Sequence, residues 1–340
     1  MRKSQSIPTL DDVAESAGVS TATVSRCLNS PNRVVKTTRD RVMKAVKELG
    51  YTPNFGARAM AAKRTFTIGA IIPTMENAIF ARGLQAFQEE LHTHGYTLLV
   101  ASSAYRPEVE EEQIRALVAR GADGLLLIGY DRDPSIYAYL EMREVPALIA
   151  WAYSENDDRP AIGFDNRASM FGLAQDVLKL GHRNIGVISG ITKGNDRAAQ
   201  RLQGIQDAVA SRGLDISSVR IIETTYEIES GAAAFEQIMQ SDIRPTAVMC
   251  GNDVLAAGAL QRARELGLRV PQDVSITGFD DIELARIVVP ALTTVHVPHR
   301  EMGRKAAIEL VEMVEKKSTG VSMQLESSQC MRGSLGPAPG

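Results

Sequence analysis

Four polar side chains on a short predicted helix near the amino end are suited to binding chemistry rather than to packing. They are Thr21, Thr23, Ser25 and Arg26. The apolar side of the helix Thr21–Leu28 needs only Leu28 together with Ala22 or Val24. Exposed hydroxyls and a guanidinium suit phosphate oxygens and base edges in a DNA major groove, whereas they add little to stability. The pattern therefore predicts a DNA-reading helix.

Neighbouring elements must hold this helix in position. Thr9, followed by two aspartates, predicts the start of a preceding helix, because a hydroxyl caps free N–H groups and carboxylates meet the positive end of the helix dipole. Gly18 predicts its end, since glycine readily takes a positive φ. Ser20 is then the cap of the second helix, and the pattern Thr38–Leu49 predicts a third. Two helices joined by a tight glycine turn are typical of DNA-binding heads.

The charge is distributed unevenly along the chain. Residues 1–64 carry twelve Lys/Arg and five Asp/Glu, whereas the remainder carries 26 Lys/Arg and 36 Asp/Glu. A basic head on an acidic body indicates a nucleic-acid-binding module joined to something else. A solvated basic surface without a partner is the alternative explanation.

Length and composition limit the class of protein. The 340 residues are enough for two or three domains, and 44% apolar with 23% charged residues is ordinary for a globular chain. There is no apolar run of about 18 residues to span a bilayer, and no apolar segment of a secretory signal. We therefore expect a cytoplasmic protein without a membrane partner. The scattered Cys27, Cys250 and Cys330 predict reduced structural thiols.

The body alternates short apolar runs with helical patterns. From Thr67, the runs TIGAII, YTLLVA, GLLLI and ALIAW predict buried parallel strands separated by helices. After Ile162–Asn166 the rhythm restarts with IGVI, VRII, TAVM and VSITG, and Arg300–Lys316 predicts a final helix that returns to the first lobe. The predicted fold class is α/β, with two doubly wound parallel-sheet lobes. Such sheets bind ligands beyond the carboxyl ends of their strands, so we expect a ligand in the cleft between the lobes.

Motifs for catalysis and metal binding are missing from the sequence. It contains no GxGxxG after a strand, no GxxxxGKS/T, no HExxH and no GxSxG, and its five histidines do not cluster. We therefore predict no catalytic residues, no metal site, no cofactor and no enzyme activity.

The sequence resembles the lac repressor/galactose repressor family of bacterial transcription regulators. In the head, the segments that carry the resemblance are TLDDVAESAGVSTATVSRCLN and ELGYTPN. In the body they are IGFDN, LGHRNIGVISG, AVMCGNDVLAAGAL, GLRVPQDVSITGFDDIELA and PALTTVHVP. The resemblance implies a helix-turn-helix head, a hinge helix that folds on operator DNA, and a two-lobed sensor of periplasmic-binding-protein type I.

The resemblance also implies a set of DNA-binding residues in the head and hinge. They are Thr9, Leu10, Ser20, Thr21, Ala22, Thr23, Ser25, Arg26, Asn29, Asn54, Ala57 and Met60. Met60 stands where the family inserts a leucine into the minor groove, and Cys27 stands where an aliphatic residue is common. Because Thr21 and Ala22 are small, we expect Arg26 to carry most of the direct base discrimination.

Six residues of the second lobe are implied to bind an effector. They are Asn195, Arg197, Arg201, Tyr226, Asn252 and Asp280. Helix capping is the competing explanation for Asn252 and Asp280, and a surface ion pair for Arg201. Arg197 lies four residues before Arg201 on one helix face, and two guanidiniums would favour a carboxylate-bearing effector such as a sugar acid. The segment Asn77–Phe80 departs from the family's Asn-Pro-Phe-Phe pattern, which leaves the first-lobe side of the pocket open.

Together these patterns predict a domain plan and a function. We expect a DNA-binding head at 1–52, a hinge helix and linker at 53–65, a two-lobed effector and dimerisation domain at 66–333, and a disordered tail at 334–340. The first lobe is predicted to comprise 66–164 and 296–319, and the second 165–295 and 320–333. The predicted function is a homodimeric repressor of a catabolic operon that binds palindromic operator DNA and answers to a sugar or sugar acid. A tetramer, a transport-type solute-binding protein and an enzyme on the same fold are the alternatives.

Overall fold

A computed structural model describes residues 7–29, 31–52 and 64–339. The chain divides into two compact units, Met1–Thr65 and Phe66–Gly340. The smaller unit is the head, and the larger is the body.

The described part of the head contains three helices. They are α1 (Leu10–Ala17), α2 (Thr21–Asn29) and α3 (Lys36–Leu49), with a 3₁₀ turn at Pro31–Arg33 between the last two. Gly18 ends α1 with φ 63°, as its sequence position predicts. Val24, not Ala22, faces the core of the head from α2, and Cys27 lies beside it with 2% of its surface exposed. Cys27 is therefore a small buried apolar residue, as a substitute for an aliphatic side chain should be.

A six-stranded parallel sheet forms the first lobe of the body. Before the chain passes to the second lobe, the elements are β1 (Thr67–Ile72), α4 (Ala78–Thr93), β2 (Thr97–Ser102), α5 (Pro107–Ala119), β3 (Gly124–Ile128), α6 (Pro134–Met142), β4 (Ala147–Ala150) and β5 (Ala161–Gly163). The strand order is β11-β5-β4-β3-β1-β2, where β11 (Met323–Gln324) comes from the carboxyl-terminal part of the chain. The prediction that YTLLVA is a buried strand is wrong, because β2 lies at the sheet edge and exposes Leu99 and Val100.

A four-stranded parallel sheet with the order β7-β6-β8-β9 forms the second lobe. Its elements are α7 (Asn166–Lys179), β6 (Ile185–Gly190), α8 (Asp196–Ser211), β7 (Arg220–Thr224), α9 (Ile228–Met239), β8 (Ala247–Cys250), α10 (Asp253–Glu265), β9 (Ser275–Thr277) and the short α11 (Leu284–Ile287), with a 3₁₀ turn at Ile216–Ser218. Alternating strands and helices thus give two doubly wound lobes in sequence, as predicted.

The last part of the chain joins the lobes again. Its elements are β10 (Thr294–His296), α12 (His299–Val314), β11 (Met323–Gln324) and β12 (Ser328–Cys330). α12 packs closely on α4, because a Cβ atom at Gly303 would lie 2.0 Å from the carbonyl oxygen of Gly83. β10 pairs antiparallel with β12. β11 pairs with β5, so the prediction that 320–333 belongs wholly to the second lobe is wrong for this strand.

The carboxyl-terminal segment is ordered. Ser334 is fully buried, and its hydroxyl accepts a hydrogen bond from the Thr293 N–H at 2.8 Å. Leu335 is 8% exposed, and the Ala338 N–H donates to the carbonyl of Leu180 at 2.9 Å. The prediction of a disordered tail is therefore wrong for 334–339, because an apolar side chain and backbone hydrogen bonds hold this Gly/Pro-rich segment on the second lobe.

Candidate DNA-binding surface and effector site

In the head, α2 presents a polar side to solvent. Ala22 and Arg26 are exposed, and Thr21, Thr23 and Ser25 are half-buried. Within the described residues, the Arg26 guanidinium forms neither an ion pair nor a hydrogen bond. Its five N–H donors are therefore available to phosphates or base edges.

Two predicted DNA-binding hydroxyls act as helix caps in the described structure. The Thr9 hydroxyl accepts a hydrogen bond from the Asp12 N–H at 3.3 Å and donates to the Asp12 carboxylate at 2.7 Å. The Ser20 hydroxyl accepts from the Thr23 N–H at 3.3 Å. Both residues are exposed, so capping fixes where α1 and α2 begin while their outer surface stays open.

The remaining predicted DNA contacts are less defined. Leu10 is half-buried against the core of the head, and Asn29 is the last residue of α2. Asn54, Ala57 and Met60 lie outside the described residues, as does most of the predicted hinge.

In the body, the six residues predicted to bind an effector line one narrow cavity between the two lobes. Asn195, Arg197, Arg201, Tyr226, Asn252 and Asp280 form the second-lobe side. Asn77, Ile79, Phe80, Tyr105, Trp151 and Phe164 complete the wall. About 350 Å³ not filled by atoms lies in this cavity together with its opening to solvent. The sequence predicts the residues on the second-lobe side of the cavity but not most of those on the first-lobe side.

The carboxyl ends of the second-lobe strands bring these side chains together. Asn195, Tyr226, Asn252 and Asp280 follow β6, β7, β8 and β9 respectively. Asn195 and Asn252 also cap α8 and α10 through their side-chain oxygens, so the capping explanation is correct for the oxygen of Asn252. Asp280 caps no described helix, because α11 begins after Glu283.

Arg201 is a buried cation held by neutral partners. Its Nη1 donates to the Asn166 side-chain oxygen at 3.1 Å and its Nη2 to the Tyr226 hydroxyl at 3.2 Å. The guanidinium lies 4.8 Å from the centre of the Phe279 ring. Its Nε finds no acceptor among the described residues. The surface ion-pair explanation is therefore wrong, and Arg201 keeps a donor and an unbalanced charge at the cavity.

Arg197 differs from Arg201 because a carboxylate balances its charge. Its Nη1 lies 3.0 Å from Asp196 Oδ1 and donates to the carbonyl of Ile128 at 3.0 Å. The other Asp196 oxygen accepts from the Tyr130 N–H at 2.6 Å. Both predicted guanidiniums thus line the cavity, but within the described residues only Arg201 lacks a carboxylate partner. The pair of Arg197 with Asp196 joins the start of α8 to the first-lobe turn after β3.

Asp280 and Asn252 offer unused polar groups to the cavity. The Asp280 carboxylate is 3% exposed and accepts no hydrogen bond from the described residues. Burial raises the pKa of Asp280 to about 6, and the nearby Arg201 charge opposes this rise. The Asn252 side-chain oxygen accepts from the Leu255 N–H at 2.9 Å, which leaves its NH₂ group without an acceptor among the described residues. An acceptor and several donors thus converge on one small space.

Aromatic rings form the apolar walls. The Trp151 ring lies 5.5 Å from that of Phe80, and the Tyr105 ring lies 5.8 Å from that of Tyr226 across the lobes. Trp151 Nε1 donates to His299 Nδ1 at 3.2 Å. Burial lowers the pKa of His299 to about 3, so its ring is neutral and can accept this bond near neutral pH. Rings with a few fixed polar groups are typical of small-molecule sites.

The first-lobe wall residues carried weak signals in the sequence. Trp151 directly follows the apolar run of β4, where an aromatic residue is indistinguishable from core. Asn77 follows β1 and caps α4 through its side-chain oxygen. For both residues, the sequence feature that indicates a site is a position just after the end of a predicted strand.

Two features of other protein classes are not found in the described residues. No described helix is long and apolar enough to cross a bilayer. Across 7–29, 31–52 and 64–339, no group of three or more His, Cys, Asp or Glu side chains is arranged to hold a metal ion.

Comparison with protein families matches two segments of the chain. Residues 9–54 match the bacterial regulatory proteins of the lacI family, and residues 174–335 match the periplasmic binding protein-like domain. The first match covers the helices of the head, and the second covers all six cavity residues of the second lobe.

Individual relatives match over nearly the full length. The HTH-type transcriptional repressor PurR of Klebsiella pneumoniae (strain 342) is 34% identical over 334 residues, which cover 97% of this chain and 98% of PurR. The repressor CytR of Escherichia coli (strain K12) is 33% identical over 340 residues, covering 99% of each chain. The solved structure of the lac repressor dimer bound to operator and the anti-inducer ONPF has a TM-score of 0.85 at 27% identity, covering 97% of this chain and 99% of that one.

Proposed function

We propose that this chain, which belongs to the lacI family of bacterial regulatory proteins, represses a catabolic operon by binding a pseudo-palindromic operator as a homodimer under the control of a sugar effector. One observation supports the proposal best. Among the described residues, the exposed Arg26 on α2 has no ion pair or hydrogen bond, and Arg201, Asp280 and Asn252 keep unused polar groups at the cavity. The chain thus has side chains available both to contact DNA and to bind a ligand.

The dimer follows from the small size of the head. One short α2 contacts too few bases and phosphates for a specific site, whereas two heads can read two half-sites one helical turn or more apart. The operator-bound lac repressor is itself described as a dimer. We propose that residues 53–65 form the hinge helix and linker between head and body. Effector binding would change lobe closure and so bias operator affinity by about 1–3 kcal/mol.

The effector we propose is a neutral sugar rather than a sugar acid. Asp196 balances Arg197, and among the described residues the cavity holds one carboxylate, Asp280, beside the unpaired guanidinium of Arg201, so its lining carries no excess of positive charge although Arg201 and Asp280 form no ion pair. Sugar hydroxyls can donate to Asp280 and accept from Arg201 and Asn252 at once. The apolar faces of a sugar ring can pack against aromatic side chains that line the cavity, such as Trp151 and Tyr226.

Isothermal titration calorimetry on the full chain tests the effector class. The panel comprises neutral pentoses and hexoses, with gluconate-like acids of the same carbon skeletons as matched controls. We expect micromolar or tighter binding for a neutral member and binding at least about tenfold weaker for its acid, since a second carboxylate would lie beside Asp280. Tight binding of acids alone would refute the neutral class. Selection of genomic fragments by the protein, with and without the bound sugar, then identifies the operator and shows whether the sugar releases or promotes DNA binding.

A further inference from the structure

Two consecutive aspartates after β9 have an unusual backbone. Asp280 has φ 104° and Asp281 has φ 53°, both in the left-handed region that residues with a Cβ atom rarely occupy. Asp280 lines the effector cavity, whereas Asp281 does not. A strained pair of this kind persists only where the surroundings hold it.

Asp281 is held by side chains from two other segments. Its carboxylate is 2% exposed and lies 2.6 Å from Arg332 Nη2 and 3.0 Å from His296 Nδ1. Arg332 is itself fixed, because its Nη1 donates to the carbonyl of Leu292 at 2.9 Å. Arg286 approaches the same carboxylate at 3.5 Å, but its side chain is 65% exposed.

The backbone on both sides of Asp281 is anchored to the same region. The Asp280 N–H donates to the carbonyl of Val295 in β10 at 2.9 Å. The Ile282 N–H donates to Asp253 Oδ2 at 2.8 Å, and Asp253 directly follows the cavity residue Asn252. The two cavity residues Asn252 and Asp280 are therefore each followed by a buried aspartate that does not line the cavity and that bonds to neighbouring segments.

We propose that Asp281 is a positioning residue for the effector site: its ion pair with Arg332 and its contact with His296 hold Asp280 in the left-handed conformation that keeps the Asp280 carboxylate at the cavity. The proposal rests on the proposed effector role of Asp280. It assigns a function to Arg332, which lies near the carboxyl end, far in sequence from the cavity residues. Loss of the Arg332 charge should free the Asp280–Ile282 segment and let the Asp280 carboxylate reach solvent.

The test requires no effector. In the full chain labelled with ¹³C at aspartate carboxyls, the Asp280 signal is assigned with Asp280→Asn and titrated by NMR in wild type, Arg332→Met and Arg332→Lys. The ionisable groups that interact with Asp280 are Arg201, Asp253 and Tyr105, and Arg332 is a further positive charge beside the next residue, so its loss can only raise the Asp280 pKa by direct electrostatics. Release into solvent instead lowers this pKa from about 6 toward the ordinary 3.8. We expect a fall in Arg332→Met and at least partial restoration in Arg332→Lys.

Hydrogen exchange provides a second readout. Amides of the segment 280–282 should exchange about tenfold faster in Arg332→Met than in wild type, whereas Arg286→Met, which removes an exposed guanidinium from the same carboxylate, should leave them unchanged. If Arg332→Met does not fold, the same two measurements are made on His296→Gln, which changes the other side-chain contact of Asp281 named in the proposal. An unchanged or raised Asp280 pKa, or equal exchange in the Arg332 and Arg286 variants, overturns the proposal. Failure of every sugar to bind would instead refute the proposed effector and leave these measurements intact.

Discussion

Nη2 of Arg201 donates a hydrogen bond to the hydroxyl of Tyr226, 3.2 Å away, on the second-lobe side of the cavity. Both residues were predicted to bind the effector, and they are already joined in the described structure. Because a neutral hydroxyl is the partner, the Arg201 charge is oriented without being neutralised. The geometry thus prepares the cation for a ligand.

Arg201→Met should abolish effector binding without weakening the fold. Loss of two hydrogen bonds to a charged group predicts a rise in the effector Kd of about 100-fold or more. The unfolding temperature should stay the same or rise, since a desolvated cation without an ion-pair partner is replaced by an apolar side chain of similar length. Calorimetry and thermal unfolding measure the two effects.

Arg212→Met is the matched control, because Arg212 lies at the end of the same helix, exposed and bonded to Gln175. It should change neither quantity. Equal loss of affinity in both variants would contradict the assignment of Arg201.

Effector affinity should depend on the protonation of Asp280. The pKa of this carboxyl is raised to about 6, so the ionised acceptor prevails near pH 7.5 and the protonated form near pH 5. Binding of the sugar should be about tenfold weaker at about pH 5 than at about pH 7.5. Asp280→Asn should bind weakly at both values and show no step. A step that persists in this variant would assign the pH dependence elsewhere.

The same shift affects stability in the opposite direction. The folded-state pKa of Asp280 lies above its ordinary 3.8, so its contribution to the free energy of unfolding is fully present below about pH 3.8 and is lost as the pH rises through about 6. Denaturant unfolding should therefore show the free energy of unfolding of wild type falling relative to that of Asp280→Asn as the pH rises through this range. Above about pH 6 the variant should be the more stable of the two.

Trp151 should report effector binding directly. It is the single tryptophan of the chain, it lines the cavity, and it is 2% exposed. A sugar packed against its ring should change its emission intensity with the same Kd that calorimetry gives. Arg201→Met should show no change at the same sugar concentration. A sugar that binds by calorimetry yet leaves the emission unaltered would lie outside this cavity.

Part of the cavity could be predicted from sequence for a physical reason. Asn195, Tyr226, Asn252 and Asp280 are polar residues after strand ends, and the structure brings them to one space. Trp151 and Phe164 could not be separated from core residues, because an aromatic side chain beside an apolar strand looks the same whether it faces a cavity or another ring.

The charge balance of the cavity could not be predicted from sequence, and neither could the ordered conformation of the last segment. The pairing of Arg197 with Asp196 depends on where the first-lobe turn meets α8, which no local pattern reveals. The composition of 334–340 suggested disorder, yet Leu335 and the Ser334 hydroxyl find buried positions formed by distant strands. Tertiary contacts decided both.

Because α4 and α12 pack closely, replacing Gly303 should lower the stability of the fold. In Gly303→Ala the new methyl would lie 2.0 Å from the Gly83 carbonyl oxygen, so the helices must move apart. We expect the free energy of unfolding to fall by about 1–3 kcal/mol, measured by chemical denaturation. Gly172→Ala is the matched control on α7, where the methyl meets only the mobile end of Gln329. It should stay within about 1 kcal/mol of wild type, aided by better helix propensity.

Arg26 should provide sequence preference rather than general DNA affinity. Arg26→Ala removes a potential bidentate contact to guanine, so affinity for the selected operator should fall by about tenfold or more while effector affinity is unchanged. Arg41→Ala removes another exposed charge, from α3, and is the matched control. It should weaken operator and scrambled duplex by similar factors. Intact operator binding in Arg26→Ala would refute the docking of α2.

Fluorescence anisotropy of an operator duplex titrated with the full chain, with and without the bound sugar, tests the central claim most directly. We predict a salt-sensitive preference for the selected duplex over a scrambled one of at least about 10³-fold, and a change of about 5- to 150-fold in operator Kd when the sugar is added. Equal affinity for both duplexes, or an operator Kd that no cavity-binding sugar alters, would contradict the account.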